Sequence, residues 1–217
     1  TSGIPAGWTV YNQDEVNYLT FKSLKSSAYS FTGNGISYSL DDGTTWVSLA
    51  SGESTPTISA NAKILWKGEM TVESFGIGTF SSTGQFKAEG NIMSLLYGDN
   101  FIGQKSLEGK NYTFCSLFSI CSGLTDASHL SLPATTLATY CYAYMFNGCS
   151  SLASVPKLPS TNLATYCYAY MFKDCTSLTS APELPAINLA SQCYREMFYG
   201  CTSLTSAPEL PATTLDT

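Results

Sequence analysis

The second half of the chain repeats itself every 26 residues, and no other feature constrains the fold as strongly. Three segments beginning at Cys141, Cys167 and Cys193 align without a gap. The other landmarks at this spacing are Cys149, Cys175, Cys201, Leu152, Leu178 and Leu204. A unit of this length cannot bury its own apolar face, whereas stacked units share a continuous core in which equivalent residues form ladders. The period therefore predicts a stacked repeat array.

Each unit divides into two segments with different patterns. Residues Leu178 to Leu184 are typical of a short strand with a proline beside it. The following stretch has apolar residues at i, i+4, i+8 and i+9, namely Leu189, Cys193, Met197 and Phe198, which favours a helix ending near Gly200. The sequence thus predicts one short strand and one short helix per unit.

A degenerate copy precedes the three regular units. The segment Leu117 to Leu124 matches Met145 to Leu152 at an offset of 28 rather than 26. The two extra residues fall between Thr125 and Leu132, which makes 111–137 a degenerate first repeat.

The repeat resembles a known family. Residues 197–211 have the pattern M-F-x-G-C-T-S-L-T-x-A-P-x-L-P, which is similar to the BspA-type leucine-rich repeats of surface proteins from Bacteroides-like bacteria. The likeness covers about residues 111–217, although typical units of that family are a few residues shorter. Segments Ile36–Trp46 and Glu89–Asp99 are similar to stretches that precede such repeats in secreted proteins. The resemblance implies a secreted or cell-surface adhesion protein.

The N-terminal half has the pattern of a β-domain. Alternating apolar and polar residues predict strands at 18–24, 28–31, 36–40, 46–49, 62–66, 77–80 and 86–88. Asp41-Asp42-Gly43 predicts a hairpin turn, and the regular strand spacing favours a β-sandwich. We therefore expect an α+β chain with a lead segment at 1–17, a β-sandwich-like domain at 18–97 and a leucine-rich-repeat solenoid at 98–217. The segment from Glu89 to about Gly109 is expected to cap the solenoid.

Composition narrows the possible partners. Only 12% of residues are charged, the formal net charge is −6, and the ten Lys and Arg residues are dispersed. This excludes a basic footprint for nucleic acid. No apolar run reaches the roughly 18 to 20 residues of a membrane span. Because the chain starts at Thr1 and stops inside a repeat, we expect a fragment or a processed form of an extracellular or cell-surface protein.

All eight cysteines lie in the repeat half, and the sequence leaves their state open. Equivalent cysteines can stack as buried free thiols, which is the favoured interpretation, or form disulfides between successive units. An eight-residue separation spans about 12 Å on a helix, too far for a bridge within one helix. Zinc is disfavoured by the C-x7-C spacing.

The sequence shows no constellation for catalysis, so we expect no enzyme, cofactor or metal. His129 is the only histidine, and it is expected on a surface loop. The carboxylates Asp41, Asp42 and Glu53 lie near predicted turns. Glu183 and Glu209 recur with the repeat period and alternate with Lys157, which indicates a solvated face.

Tyrosines are the candidate contact residues. Tyr144, Tyr170 and Tyr199 are expected to be exposed and to contact ligand, since tyrosine combines an apolar ring with a polar tip. Tyr142, Tyr168 and Tyr194 are expected to be structural ladder residues, and Trp46 and Trp66 core residues. The leading hypothesis is a non-enzymatic binding or adhesion protein whose ligand is a host protein, a matrix component or a glycan. The alternative is a structural spacer that displays another module.

Overall fold

The computed structural model describes residues 13–71 and 78–215 and shows a mostly β protein with little helix. The two α-helices are single turns, α1 (Gln13–Val16) and α2 (Ser94–Tyr97). A 3-10 turn follows at Gly98–Asn100. The strands are β1 (Leu19–Ser23), β2 (Tyr29–Phe31), β3 (Ile36–Ser39), β4 (Val47–Leu49), β5 (Lys63–Gly68), β6 (Phe80–Ser82), β7 (Phe86–Asn91), β8 (Leu124–Ser131), β9 (Asn188–Leu189) and β10 (Thr214–Leu215).

Six strands form one mixed sheet in the order β4-β3-β5-β1-β7-β8. All neighbours are antiparallel except β7 and β8. The alternation that predicts β1 also sets its two faces, because Leu19 and Phe21 are buried while Lys22 is exposed. β3 and β4 form the hairpin that the Asp-Asp-Gly turn predicts, with Tyr38 opposite Val47.

A small antiparallel ladder of β2 and β6 packs against this sheet through aromatic side chains. Phe21 of β1 lies 5.3 Å from Tyr29 and 5.0 Å from Phe80 between ring centroids, and Trp66 lies 4.9 Å from Phe80. These rings are fully buried. Large aromatic residues therefore supply the core of the N-terminal half.

The sheet continues across the predicted boundary at residues 97/98. β8 comes from the degenerate repeat and pairs in parallel with β7, so that Glu89 lies opposite His129. The following unit adds to the far edge of β8, where Ala127 N–H donates to Ser154 at 2.9 Å and Ala153 N–H donates to Thr125 at 3.0 Å. β7 thus starts a parallel ladder that β8 continues, and the following unit adds an isolated bridge between Asp126 and Ser154.

The strand predicted at Leu178 to Leu184 is wrong, because the chain there makes no ladder. The reason lies in the prolines. Pro182 and Pro185 lack an N–H to donate, and the equivalent segments carry prolines at the same positions. β8 contains no proline and is the one repeat segment that forms an eight-residue strand within the described ranges.

The predicted helices are also wrong, because each unit instead forms a chain of tight turns. We call these segments turn ribbons; they are residues 112–121, 140–149, 166–175 and 192–201. Within a ribbon, alternate N–H groups bond back three residues, as from Ala143 to Tyr140. The others donate to the next ribbon, as from Tyr142 to the carbonyl of Cys167 at 2.9 Å. A helix would need all of these N–H groups for its own i→i−4 bonds.

The ribbons also differ from a helix in that every fourth residue has a left-handed backbone conformation. In the second ribbon these positions are Tyr140, Tyr144 and Gly148, with φ of 57°, 57° and 71°. A ribbon with a four-residue period repeats its buried side at i, i+4 and i+8. That is the spacing from which a helix is predicted, so the apolar pattern alone does not separate the two structures.

Equivalent side chains of successive ribbons stack at offsets of 28, 26 and 26 residues. One column of rings runs Phe118, Phe146, Phe172 and Phe198 at centroid spacings of 5.5, 5.5 and 5.8 Å, and its first three members are buried. A second column runs Phe114, Tyr142, Tyr168 and Tyr194 at 5.6, 5.6 and 6.0 Å. The ladders Cys149, Cys175 and Leu152, Leu178 are buried, Cys201 is 9% exposed, and Leu204 packs partly buried at the end.

Strand β6 covers the first ribbon. Phe80 donates its N–H to the carbonyl of Leu117 at 2.7 Å, and its ring stacks on Phe118 at 5.7 Å. The segment after Glu89 contributes as well, since Leu107 N–H donates to Thr136 at 2.8 Å. The two halves consequently share one buried core.

Candidate functional site

Tyrosines project from the left-handed positions of the turn ribbons and form two columns on one side of the array. One column contains Tyr112, Tyr140 and Tyr166, with ring centroids 5.0 and 4.6 Å apart. The other contains Tyr144 and Tyr170, 4.5 Å apart. We call these five residues the tyrosine face. Each is partly exposed, and the paired rings are within 10° of parallel.

Stacking decides which part of each ring a ligand can reach. A ring between two parallel neighbours has both faces covered, so its edge and its hydroxyl remain for contact. Aromatic platforms for sugars need an open ring face, which Tyr140, the interior ring of the first column, does not offer. The tyrosine face therefore presents hydroxyl groups and ring edges held in fixed positions, an arrangement suited to hydrogen bonding with a protein surface.

Two phenols of this face, those of Tyr140 and Tyr144, are held in the protonated form. Burial raises the pKa of Tyr144, and the neighbouring Tyr170 adds to the shift. Burial also raises the pKa of Tyr140, followed by the effects of Tyr166 and Tyr112. Each hydroxyl can thus act as both donor and acceptor.

Two cations, one on the third ribbon and one on the fourth, border the tyrosine face. The Lys173 ammonium lies 5.4 Å from the Tyr170 ring and 4.7 Å from the Tyr199 ring. The Arg195 guanidinium lies 5.6 Å from the centroid of the Tyr170 ring. Contacts of this length between a cation and a ring are attractive. They fix the rings and the cations relative to one another.

The residues predicted to contact ligand occupy this region. Tyr144 and Tyr170 are half-buried within a column, and Tyr199 is 63% exposed beside Lys173. Tyr142 and Tyr168 lie in the core. Sequence reasoning missed Tyr112, Tyr140 and Tyr166. The signal that could have found them is their four-residue spacing from Ser116, Tyr144 and Tyr170, which places them on the same side of a ribbon.

His129 lies on β8 rather than on a loop, and it has no nucleophile beside it. Its Nδ1 is 3.3 Å from Asp14 and its side chain is 71% exposed. The neighbouring Ser128 donates its hydroxyl to Asp126 at 2.7 Å instead. Within residues 13–71 and 78–215, no hydroxyl or thiol lies within hydrogen-bond distance of the imidazole.

A shallow groove of about 610 Å³ runs over the sheet near His129, and its charged side chains are paired. Lys22 binds Glu89 at 2.8 Å and Lys87 binds Asp126 at 3.1 Å. Exposed ion pairs of this kind contribute little to stability.

The acidic residues near the predicted turn stabilise that turn. Asp41 accepts hydrogen bonds from Thr45 and Ser39, which hold the pKa of its carboxyl at about 2. Asp42 pairs with Lys63 at 2.6 Å. Glu53, and likewise Lys157, Glu183 and Glu209 in the repeats, are exposed.

The two tryptophans expected in the core, Trp46 and Trp66, differ in exposure. Trp66 is fully buried in the core. Trp46 is half-buried, with the Lys67 ammonium 4.4 Å above its ring and Tyr18 packed against it at 5.0 Å. Its indole nitrogen donates to the carbonyl of Gly43 at 3.1 Å. Lys67 covers one face of the Trp46 ring, so Trp46 stabilises the hairpin.

All eight cysteines are buried free thiols. The thiol of Cys149 donates to the carbonyl of Phe118 at 2.9 Å, and Cys175 and Cys201 repeat this bond to Phe146 and Phe172. Burial raises the pKa of Cys121 to about 11 and that of Cys167 to about 12. The described ranges contain no cluster of three or more His, Cys, Asp and Glu residues able to hold a metal ion.

We expect the thiols to react slowly in the folded protein and completely in the unfolded one. Only the thiolate attacks an alkylating reagent, and burial disfavours that form. Iodoacetamide at pH 8 should modify Cys201 first, because it is 9% exposed, and all eight cysteines in guanidinium without reductant. Intact-mass spectrometry counts the adducts. Fewer than eight adducts after unfolding would show that disulfides are present.

No helix within the described ranges is long and apolar enough to cross a membrane. The chain matches no known protein family, no curated protein and no solved structure.

Proposed function

We propose that the chain is a non-enzymatic binding protein of the cell surface or the extracellular space. Its fold is a β-sandwich-like domain that caps a leucine-rich-repeat solenoid, and its ligand is a protein that docks on the tyrosine face. Support for the solenoid comes from the parallel stacking of equivalent residues at a nearly constant offset. The BspA-type sequence pattern supports the location.

The observation that carries the binding role is the pre-formed tyrosine face. Tyrosine is enriched at protein interfaces, where it supplies a large contact area at a small entropic cost. Stacking between Tyr144 and Tyr170 lowers that cost further, since the rings are already fixed before a partner arrives. Ile120, 77% exposed at the end of the first ribbon, adds apolar area near the face.

The covered ring faces favour a protein over a glycan as the ligand. Sugars bind aromatic residues mainly through an open ring face, and stacked neighbours cover both faces of Tyr140. A protein partner can use the hydroxyl groups and the intervening polar edge. The same face on a purely structural spacer would have no need of ordered, accessible phenols.

The test separates hydroxyl contacts from folding. Replacement of Tyr140, Tyr144, Tyr166 and Tyr170 together by Phe keeps the stacked rings and removes four hydroxyls. On an array of extracellular proteins, we expect the wild-type chain to bind and the fourfold variant to lose at least about thirtyfold in affinity, equivalent to ~2 kcal/mol for a hot-spot cluster. The thermal unfolding midpoint should stay near that of the wild type.

A matched control removes exposed apolar side chains from the other half of the protein. Leu24→Ala with Leu40→Ala changes residues that are 39% and 46% exposed and should leave the affinity unchanged. A glycan array run in parallel distinguishes the ligand class. Binding to glycans alone, or to nothing on either array, refutes the proposal, and the second result favours the spacer.

A further inference from the structure

The only arginine in the chain stands at the end of the tyrosine face. Arg195 occupies the ribbon position that holds Ala143 and Ala169 in the two preceding units. Both alanines are fully buried, whereas the Arg195 side chain is 46% exposed. The fourth ribbon therefore carries a long cation that reaches back over Tyr170, where the second and third ribbons carry a small packing residue.

The guanidinium is held in place by rings rather than by a carboxylate. Its carbon lies 5.6 Å from the Tyr170 centroid. Tyr170 first, and then a hydrogen bond with Tyr166, raise the pKa of Arg195. The nearest carboxylate in the described ranges is Glu196, 3.9 Å from the Arg195 Nε, which is beyond hydrogen-bond distance.

Glu196 is instead committed to another partner. Its Oε2 accepts a hydrogen bond from Lys173 at 2.9 Å, and that ammonium also contacts Tyr199. Asp174 is exposed on the same ribbon as Lys173. Two cations and two carboxylates therefore balance locally. Net charge cannot attract an anion here, and any recognition depends on the N–H donors of Arg195 that its hydrogen bond with Tyr166 does not use.

We infer that Arg195 binds an Asp or Glu side chain of the protein partner, with the neighbouring part of the partner lying over Tyr199. This inference rests on the proposed function and names the partner's chemistry at one end of the tyrosine face. An arginine stacked on a ring keeps its planar fork oriented, and that fork matches a carboxylate in a bidentate pair. Lysine presents a single point charge and cannot reproduce this geometry.

The overall charge of the protein sharpens the assignment. At a net charge of −6 the chain repels acidic partners at long range. Contact with a carboxylate must therefore come from short-range geometry, and it should resist moderate salt better than a contact driven by net charge. The partner is expected to carry one or two acidic residues within an otherwise neutral segment.

Because the chain has one arginine, its Nε–Hε group gives a single nuclear magnetic resonance signal that reports on this position. The probe is the peptide acetyl-Gly-Glu-Tyr-Glu-Gly-amide, and the reference peptide carries Gln in place of both Glu residues. We expect a saturable shift of the Arg195 signal with the acidic peptide and none with the reference. Sialyllactose, which offers a carboxylate on a sugar, should bind more weakly.

Two variants complete the experiment, with peptide affinity measured by the shift of the Tyr199 ring signals. Arg195→Lys keeps the charge and should weaken binding at least tenfold, whereas Lys157→Gln, at an exposed site in an earlier repeat, should leave it unchanged. The inference is overturned by the absence of a saturable shift, by equal affinity in Arg195→Lys, or by tighter binding of sialyllactose. Any of these results leaves the protein-array test of the tyrosine face standing on its own.

Discussion

Replacement of Phe146 by Ala should lower the free energy of unfolding by about 3–5 kcal/mol, the usual cost of truncating a buried aromatic side chain. Phe146 is fully buried and stacks on Phe118 and Phe172, each 5.5 Å away. Its removal opens a gap in the middle of a column, and the neighbouring ribbons cannot close it because five backbone hydrogen bonds fix the spacing on each side. Urea denaturation followed by tyrosine fluorescence measures the loss.

The end of the same column supplies the control. Phe198 is only partly buried and has one stacking partner, Phe172, at 5.8 Å. Phe198→Ala should therefore cost clearly less than Phe146→Ala. An equal loss of unfolding free energy at the two positions would show that the stacked rings do not stabilise one another from ribbon to ribbon.

The repeat period predicts much of the second half but not its backbone. The 26-residue spacing identifies which residues share a ladder, and the buried Cys149, Cys175, Leu152 and Leu178 occupy those positions. The helix prediction fails because a four-residue ribbon and a 3.6-residue helix give nearly the same apolar pattern over ten residues. Only the left-handed φ of residues such as Tyr140 distinguishes them, and no local pattern specifies that angle for a tyrosine.

The sequence also does not predict which distant strands pair with one another. Most strands of the N-terminal half follow from alternation, and the hairpin follows from Asp41-Asp42-Gly43. The strand predicted at 77–80 instead runs from Phe80 to Ser82, and residue 77 lies outside the described residues. β7 and β8 pair in parallel although their residues are about 40 positions apart, and neither segment carries a sequence signal that identifies the other as its partner. Repetition in the sequence identifies Tyr144 and Tyr170 as part of the tyrosine face. Tyr112 and Arg195 join this surface only when the ribbons stack, so the sequence alone does not identify them.

Two buried hydroxyl groups destabilise this stack of rings. The phenol oxygens of Tyr142 and Tyr168 have no hydrogen-bond partner within the described ranges. Both side chains are at most 1% exposed. An unsatisfied buried hydroxyl costs about 1–3 kcal/mol, because the unfolded chain hydrogen-bonds it to water.

The first ribbon shows that the position does not require a hydroxyl. Phe114 is the equivalent residue, is fully buried, and stacks on Tyr142 at 5.6 Å. Phenylalanine therefore fits this column without a change in packing. We expect Tyr142→Phe and Tyr168→Phe each to raise the free energy of unfolding by about 1–3 kcal/mol, the desolvation cost that each substitution removes. The thermal midpoint should rise by roughly 2–4 °C for each kcal/mol in a chain of this size.

Tyr194 provides the matched control for these substitutions. It belongs to the same column and stacks on Tyr168 at 6.0 Å, but it is only partly buried. Water can reach its hydroxyl, so Tyr194→Phe should change the free energy of unfolding by less than about 0.5 kcal/mol. A loss of stability in Tyr142→Phe would mean that its hydroxyl is bonded in the core, for which an internal water is the available partner. The sign of the stability change in Tyr142→Phe therefore shows whether the column contains an internal water.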